Sequence, residues 1–174
     1  HKSEVTTLVD RMSERASNAG AVNTLVFQDK EIFGDNTDGV GLLRDLQSNL
    51  GLNLKDANIL ILGAGGAVRG IISPLLDAGP RSLMIANRTI AKAKALADHF
   101  STQGPVRACH FQDVGSSPVY DLVINATSAG LKGETPPYPE AAIGEHTICY
   151  DLSYSMKTTP FSEWAKEHGA ARSL

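Results

Sequence analysis

Cysteine is nearly missing from this chain. Cys109 and Cys149 are the only two, and no C-x-x-C pair occurs. That excludes a disulfide framework and a thiolate zinc site, and it fits reduced thiols in a cytoplasmic protein. The five histidines, His1, His99, His110, His146 and His168, do not pair at ligand spacing, so no metal site is expected. Long apolar runs are also lacking. No stretch is long enough to cross a membrane as a helix, and no signal peptide is visible. A net charge of −3 with no basic run leaves no footprint for nucleic acid. With 42% hydrophobic and 20% charged residues, the composition is that of an ordinary soluble globular protein.

The chain does have one organising stretch, Ala57 to Gly70, reading ANILILGAGGAVRG. Ile59 to Leu62 form a short apolar run suited to a buried parallel strand. Gly63, Gly65 and Gly66 follow, and then an apolar run with a helix face. Strand, glycine turn and helix in that order make a phosphate-binding corner. Gly63 makes the turn, Gly65 lets a pyrophosphate approach, and the helix N-terminus offers N–H groups and its positive dipole end. The strict G-x-G-x-x-G spacing fails, because Val68 stands where the third glycine belongs and Gly70 comes two residues later. A tight strand-to-helix turn that binds nothing is the competing reading of the same residues.

With 174 residues the chain is long enough for one domain and part of a second. Lys2 to Ala19 reads as one amphipathic helix with Val5, Leu8, Val9, Met12 and Ala16 on its apolar face, ended by Gly20. Ala21 to Gln28 and Glu31 to Gly34 read as strands joined at Asp29-Lys30. The polar cluster Gly34-Asp35-Asn36-Thr37-Asp38-Gly39 precedes a helix to about Leu50, with Asp35 to Thr37 as N-cap candidates. Asp38 by itself reads equally as a helix-start carboxylate. From Ala57 onward strands alternate with helices, which predicts an α/β fold: a Rossmann-like doubly wound parallel sheet. Its ligands belong outside the carboxyl ends of the strands, so the loops at Gly63 to Ala67, Asn87 to Lys92, Asn125 to Gly130 and Asp151 to Tyr154 should face one crevice. Both ends of the chain look cut, which suggests a piece of a longer protein.

The second strand of the sheet points to the cofactor. An NAD-selective fold carries an acid there for the ribose 2′-hydroxyl. This chain has Asn87-Arg88-Thr89, with Lys92 one turn on. Arg88 can stack on adenine and fork onto a 2′-phosphate, Thr89 adds a hydroxyl and Lys92 a second charge. That pattern favours NADP over NAD. The alternative is that Arg88 and Lys92 are solvated surface charges.

Taken together, GAVNT (Gly20 to Thr24), GDNTDG (Gly34 to Gly39), GAGGAxRG (Gly63 to Gly70), NRT (Asn87 to Thr89), NATSxG (Asn125 to Gly130) and YDxxY…TPF (Tyr150 to Phe161) make the chain resemble the shikimate/quinate dehydrogenase family. A generic dinucleotide domain gives no reason for GDNTDG preceded by AVNT. The resemblance implies a two-domain enzyme with its active site in the cleft between the domains. Such an enzyme reduces 3-dehydroshikimate to shikimate with NADPH, on the route to chorismate and the aromatic amino acids. It implies that residues 1–38 are a remnant of an N-terminal α/β substrate domain, 39–56 a connecting helix and linker, and 57–174 the NADP domain.

By the same resemblance Lys2 and Asp38 are catalytic. Asn23 and Tyr154 contact substrate. Gly63, Ala64, Gly65, Gly66 and Ala67 hold the pyrophosphate, and Asn87, Arg88, Thr89 and Lys92 the adenosine end. Thr127 and Ser128 lie near the nicotinamide ribose, and Leu152 lines the nicotinamide pocket where the family often has Met. The family's Ser-x-Ser substrate motif and its C-terminal Gly-Leu-Gly-Met segment are absent, so the chain alone is expected to be inactive. Alternatives within reach of the same residues are a quinate/shikimate paralogue and a non-catalytic NADP-binding module.

Overall fold

The opening stretch folds against its own periodicity. In the computed structural model, which describes residues 2–115, 119–127, 138–153 and 158–174, the expected helix over Lys2 to Ala19 is broken up. Val5–Thr7 is a single 3-10 turn, Arg11–Met12 is a short strand (β1), and only Glu14–Ala19 is α-helical (α1). Tertiary pairing is the cause. The Asp10 and Ser13 N–H groups donate to Ile32 and Gly34 carbonyls at 2.9 and 3.0 Å, so these residues join a sheet. Ser13 then starts α1, its Oγ accepting the Ala16 N–H at 3.1 Å. Gly20 ends α1 in the left-handed region, as expected.

Thr24–Gln28 (β2) and Glu31–Asp35 (β3) form the expected hairpin. Asp29 and Lys30 both take positive φ, 50° and 69°, the turn that matches strand twist. The three strands lie in the order β1-β3-β2. Asp38–Leu43 (α2) follows and continues as a π-helical turn over Arg44–Asn49. Gly66–Asp77 (α3) crosses α2 at very close range. A Cβ at Gly39 would run into the Gly70 carbonyl oxygen and the Pro74 ring, and a Cβ at Gly70 would stand 2.7 Å from Asn36 Oδ1. Pro74 sits inside α3 without ending it. Gly70 is therefore a packing glycine, set against Asn36. These elements, His1–Leu54 with Gly65–Gly79, form one compact unit.

Lys55–Ala64 and Pro80–Leu174 form a second unit. Its strands are Asn58–Leu62 (β4), Ser82–Asn87 (β5), Val106–His110 (β6), Leu122–Asn125 (β7), Ile148–Asp151 (β8) and Arg172–Ser173 (β9), with helices Ile90–Phe100 (α4) and Pro160–Glu167 (α5). The six strands are all parallel, in the order β6-β5-β4-β7-β8-β9. The order grows outward from β4 to one edge and then restarts at β7 on the other side. Right-handed crossovers through α4 and α5 therefore cover opposite faces, which is the doubly wound arrangement. Ile59, Leu60, Ile61 and Leu62 are fully buried, which explains why β4 reads as a continuous apolar run. Leu60, Leu62, Ala86, Val123, Phe161 and Trp164 belong to one core cluster.

Candidate active site

The polar cluster after β3 organises the first unit. Lys2 Nζ lies 2.5 Å from Asp38 Oδ2, and Asn23 Nδ2 donates to the other carboxylate oxygen at 2.6 Å. Asn23 is held in turn. Its Oδ1 accepts the Thr37 N–H at 3.1 Å and the Thr24 hydroxyl at 2.9 Å. Lys2 is placed by its carbonyl, which accepts the Val22 N–H at 2.8 Å. Both side chains of the ion pair remain partly open to solvent, at 41% for Lys2 and 29% for Asp38. Lys2, Asn23 and Asp38, which the resemblance assigns to catalysis and substrate binding, thus form one hydrogen-bonded group. Asp38 is also the first residue of α2, so the two readings of it coincide.

The N-cap expectation needs a correction. Thr37 occupies the N-cap position but its side chain caps nothing. The Asp38 N–H is taken by Asn36 Oδ1 at 3.1 Å, across two residues, while Asn36 Nδ2 donates to the Ala21 carbonyl at 3.0 Å. Asn36 is buried, so it ties Asp38 to the chain segment that carries Asn23. Asp35 points elsewhere. It accepts from Ser13 Oγ at 2.6 Å, from Arg15 Nε at 2.7 Å and from Arg15 Nη2, and from the Asn36 N–H at 2.7 Å. The Arg15 guanidinium foremost, then the Ser13 hydroxyl and the Asn36 N–H, hold its carboxyl well below the usual range against a desolvation that opposes them. Arg15 escaped the sequence reading, and Asn36 entered it only as one of three N-cap candidates. Only the D-N-T-D spelling hinted at Asn36, since an Asn two residues before a helix start is an Asx-turn signal.

In the second unit the strands end level. Leu62 is in register with Ala86 and Asn125, and Asn125 with Asp151. The loops leaving β4, β5, β7 and β8 therefore share one carboxyl edge, as the fold class requires of a ligand site. Gly63 has φ 113°, and a Cβ there would stand 2.9 Å from the Ala126 carbonyl oxygen. Glycine is needed on both counts, since only glycine tolerates that backbone and that approach. At Gly65 and Gly66 a Cβ would meet open space. Gly65 caps α3 without a side chain, and no acid lies in the first turn, so the helix start is left to accept an anion.

The β5 loop is fastened by Asn87 Nδ2, which donates to the Thr89 carbonyl at 2.8 Å. Arg88 and Thr89 are exposed, and Lys92 is exposed in the first turn of α4, which contains no acid. A lysine at the positive end of a helix is unfavourable by itself and becomes favourable with an anion beside it. At the β7 exit, Asn125 Oδ1 accepts the Thr127 hydroxyl at 2.8 Å and its N–H at 3.2 Å. Asn125 Nδ2 donates to Asp151 Oδ1 at 3.0 Å, and the Asn125 carbonyl accepts the Leu152 N–H at 2.9 Å. Asp151 Oδ2 takes the Thr159 hydroxyl at 2.6 Å, and Thr159 caps α5. Asn125, Asp151 and Thr159 thus shape the turns that carry Thr127 and Leu152, and only their tertiary setting reveals it. Ser128 and Tyr154 lie outside the described residues. Among the described residues no group of three His, Cys, Asp or Glu is placed to hold a metal ion. No described helix is long and apolar enough to cross a membrane.

A glycine turn, a doubly wound parallel sheet and loops aligned on its carboxyl edge define a Rossmann-like α/β protein. The comparisons narrow this class. The family model for shikimate/quinate 5-dehydrogenases matches residues 45–132, and the chain belongs to that family. It is 49% identical over 170 residues to the shikimate dehydrogenase (NADP(+)) of Hahella chejuensis, covering 98% of this chain and 62% of that protein. Among solved structures it is similar to an Ael1 enzyme from Pseudomonas putida, with TM-score 0.89 and 43% identity over 98% of this chain and 63% of that one. It is also similar to shikimate 5-dehydrogenase from Thermus thermophilus in complex with NADP(H) and shikimate, with TM-score 0.84 and 34% identity over 98% of this chain and 62% of that one. The chain thus spans somewhat less than two thirds of the length of the relatives it matches.

Proposed function

We propose that the chain is part of an NADP-dependent shikimate dehydrogenase, an oxidoreductase that reversibly reduces 3-dehydroshikimate to shikimate in aromatic amino acid biosynthesis. Residues 57–174 supply the NADP domain, and residues 1–38 part of the substrate domain. The observation that carries the reading is the group Lys2–Asp38–Asn23, an ammonium held 2.5 Å from a carboxylate whose other oxygen is already bonded. Carbonyl reduction needs a proton for the developing alkoxide, delivered from a group fixed in position. The Lys2–Asp38 pair holds such a proton, and its partial exposure leaves room for substrate hydroxyls. Asn23 and Tyr154 add substrate contacts.

The cofactor's binding residues fit what the loops offer. Gly63 to Ala67 receive the pyrophosphate at the start of α3. Arg88, Thr89 and Lys92 take the 2′-phosphate, with Asn87 holding their loop. Thr127, Ser128 and Leu152 line the nicotinamide end, where the Leu152 N–H is already given to Asn125. Bound NADPH supplies the hydride. The similarity to the NADP(+) shikimate dehydrogenase of Hahella chejuensis and to the Thermus thermophilus enzyme in complex with NADP(H) and shikimate supports this choice of cofactor and substrate. The reading also places the protein in the cytoplasm, acting on small molecules and on neither nucleic acid nor membrane.

The test is NADP-dependent oxidation of shikimate and of quinate by the protein at the full length of its relatives. Turnover of shikimate in preference to quinate supports the proposal. Preference for quinate moves it to the quinate branch of the family. NADPH binding without turnover of either substrate makes the chain a cofactor-binding module and overturns the catalytic reading.

A further inference from the structure

We propose that His110 is a specificity residue, donating a hydrogen bond to the 2′-phosphate of the dinucleotide held at the β5 loop. The inference rests on the cofactor reading above. Asn87 and His110 are register partners at the ends of β5 and β6. Neighbouring strands lie about 4.8 Å apart and register partners share a face of the sheet. His110 thus stands one strand away from Asn87-Arg88-Thr89, at the same carboxyl edge and on the same side as Asn87.

The ring's chemistry suits a phosphate. His110 Nδ1 accepts the Gln112 N–H at 3.3 Å, which caps the short turn Phe111–Asp113. In a neutral imidazole that fixes the proton on Nε2 and makes that nitrogen a donor. Among the described residues Nε2 has no hydrogen-bond partner, and the side chain is half-buried. A 2′-phosphate has three oxygens, so it can take donors from more than one element. Arg88 and Lys92 approach from the β5 loop and α4, and His110 from β6. Asp113, the last residue of the turn, is the nearest acid in sequence to this edge. A cofactor ending in a 2′-hydroxyl has no charge for His110 to meet, so the contact discriminates between the two dinucleotides.

The experiment is a titration of the protein at the full length of its relatives, unaltered and as His110→Ala, His110→Asn and Arg88→Ala, with NADP and with NAD, read by calorimetry. His110→Ala should weaken NADP about tenfold, the loss of one hydrogen bond to a charged group, and leave NAD within about twofold. His110→Asn keeps an oxygen able to cap Gln112 but does not reach as far, so it should lose NADP affinity equally. Equal losses for both dinucleotides, no loss, or full rescue by His110→Asn would reduce His110 to a turn cap and overturn the inference. If Arg88→Ala selectively weakens NADP while both His110 variants leave it unchanged, the cofactor reading stands and this inference falls. If the unaltered full-length protein does not bind NADP, both fall.

Discussion

Asp35 and Asp38 belong to one polar turn yet answer to different partners. Asp38 faces Lys2 and Asn23, whereas Asp35 is closed in by Arg15, Ser13 and the Asn36 N–H. Asp35 is accordingly a stability residue. A carboxyl whose folded value lies below its unfolded one stabilises the fold above the unfolded value, near 4, and loses that contribution as pH falls through and below it. Arg15 is nearly half exposed, so the pair is worth about 1 kcal/mol after solvent screening. Asp35→Asn should lower the melting temperature at pH 7 by a few degrees. The gap from the parent should shrink as pH drops from 5 toward 3, read by thermal melts across that range. The two thiols give a second residue-scale test. Burial pushes the Cys149 thiol up to about 12, and burial with help from Asp113 raises that of Cys109. Iodoacetamide at pH 8 should leave Cys149 unlabelled in the folded chain, label Cys109 slowly, and label both in denaturant, as peptide mass spectrometry would show.

At the scale of elements, the close crossing of α2 and α3 governs where Asp38 stands, because Asp38 begins α2 and Gly39 is the contact point. Gly39→Ala should cost about 1–3 kcal/mol by overpacking against the Gly70 carbonyl and Pro74, measured by urea unfolding. It should cost more than Gly41→Ala, where a Cβ meets nothing within 4 Å. This crossing also marks what the sequence could and could not tell. Strands β4 and β5 were legible as apolar runs, β4 closed by the Gly63 turn and β5 preceded by Gly79-Pro80. The hairpin β2–β3 was legible from its β-branched spelling. The helix over Lys2 to Ala19 was misread because Asp10 to Ser13 are drawn into a short parallel pairing with β3 that periodicity cannot see, and the expected apolar face dissolves, leaving Leu8 70% and Met12 37% exposed. Gly70 looked like a misplaced phosphate glycine until Asn36 was found against it. Lys2, Asn23 and Asp38 were named through family strings. The positioning roles of Asn36, Asn125, Asp151 and Thr159 were not legible, because a polar residue becomes a positioning one only when distant segments bury it.

On the scale of the whole molecule, the proposed chemistry divides between two hydrogen-bonded groups that share no member. Lys2, Asn23, Asn36 and Asp38 bond among themselves and their hairpin, within His1–Leu54. Asn87 and Thr89 bond within their own loop in the other unit, the one that also contains Arg88, Lys92, Thr127 and Leu152. Groups without shared partners should act independently in free energy. In the protein at the full length of its relatives, Asp38→Asn should lower kcat about a hundredfold or more and leave NADP affinity unchanged, since only the proton relay is lost. Arg88→Ala should raise KM for NADP about tenfold or more, with kcat retained. The double variant should then lose kcat/KM by the product of the single losses, within about twofold. A smaller combined loss would mean that the adenosine end already helps to align the Lys2–Asp38 pair, and that the two groups form one coupled site.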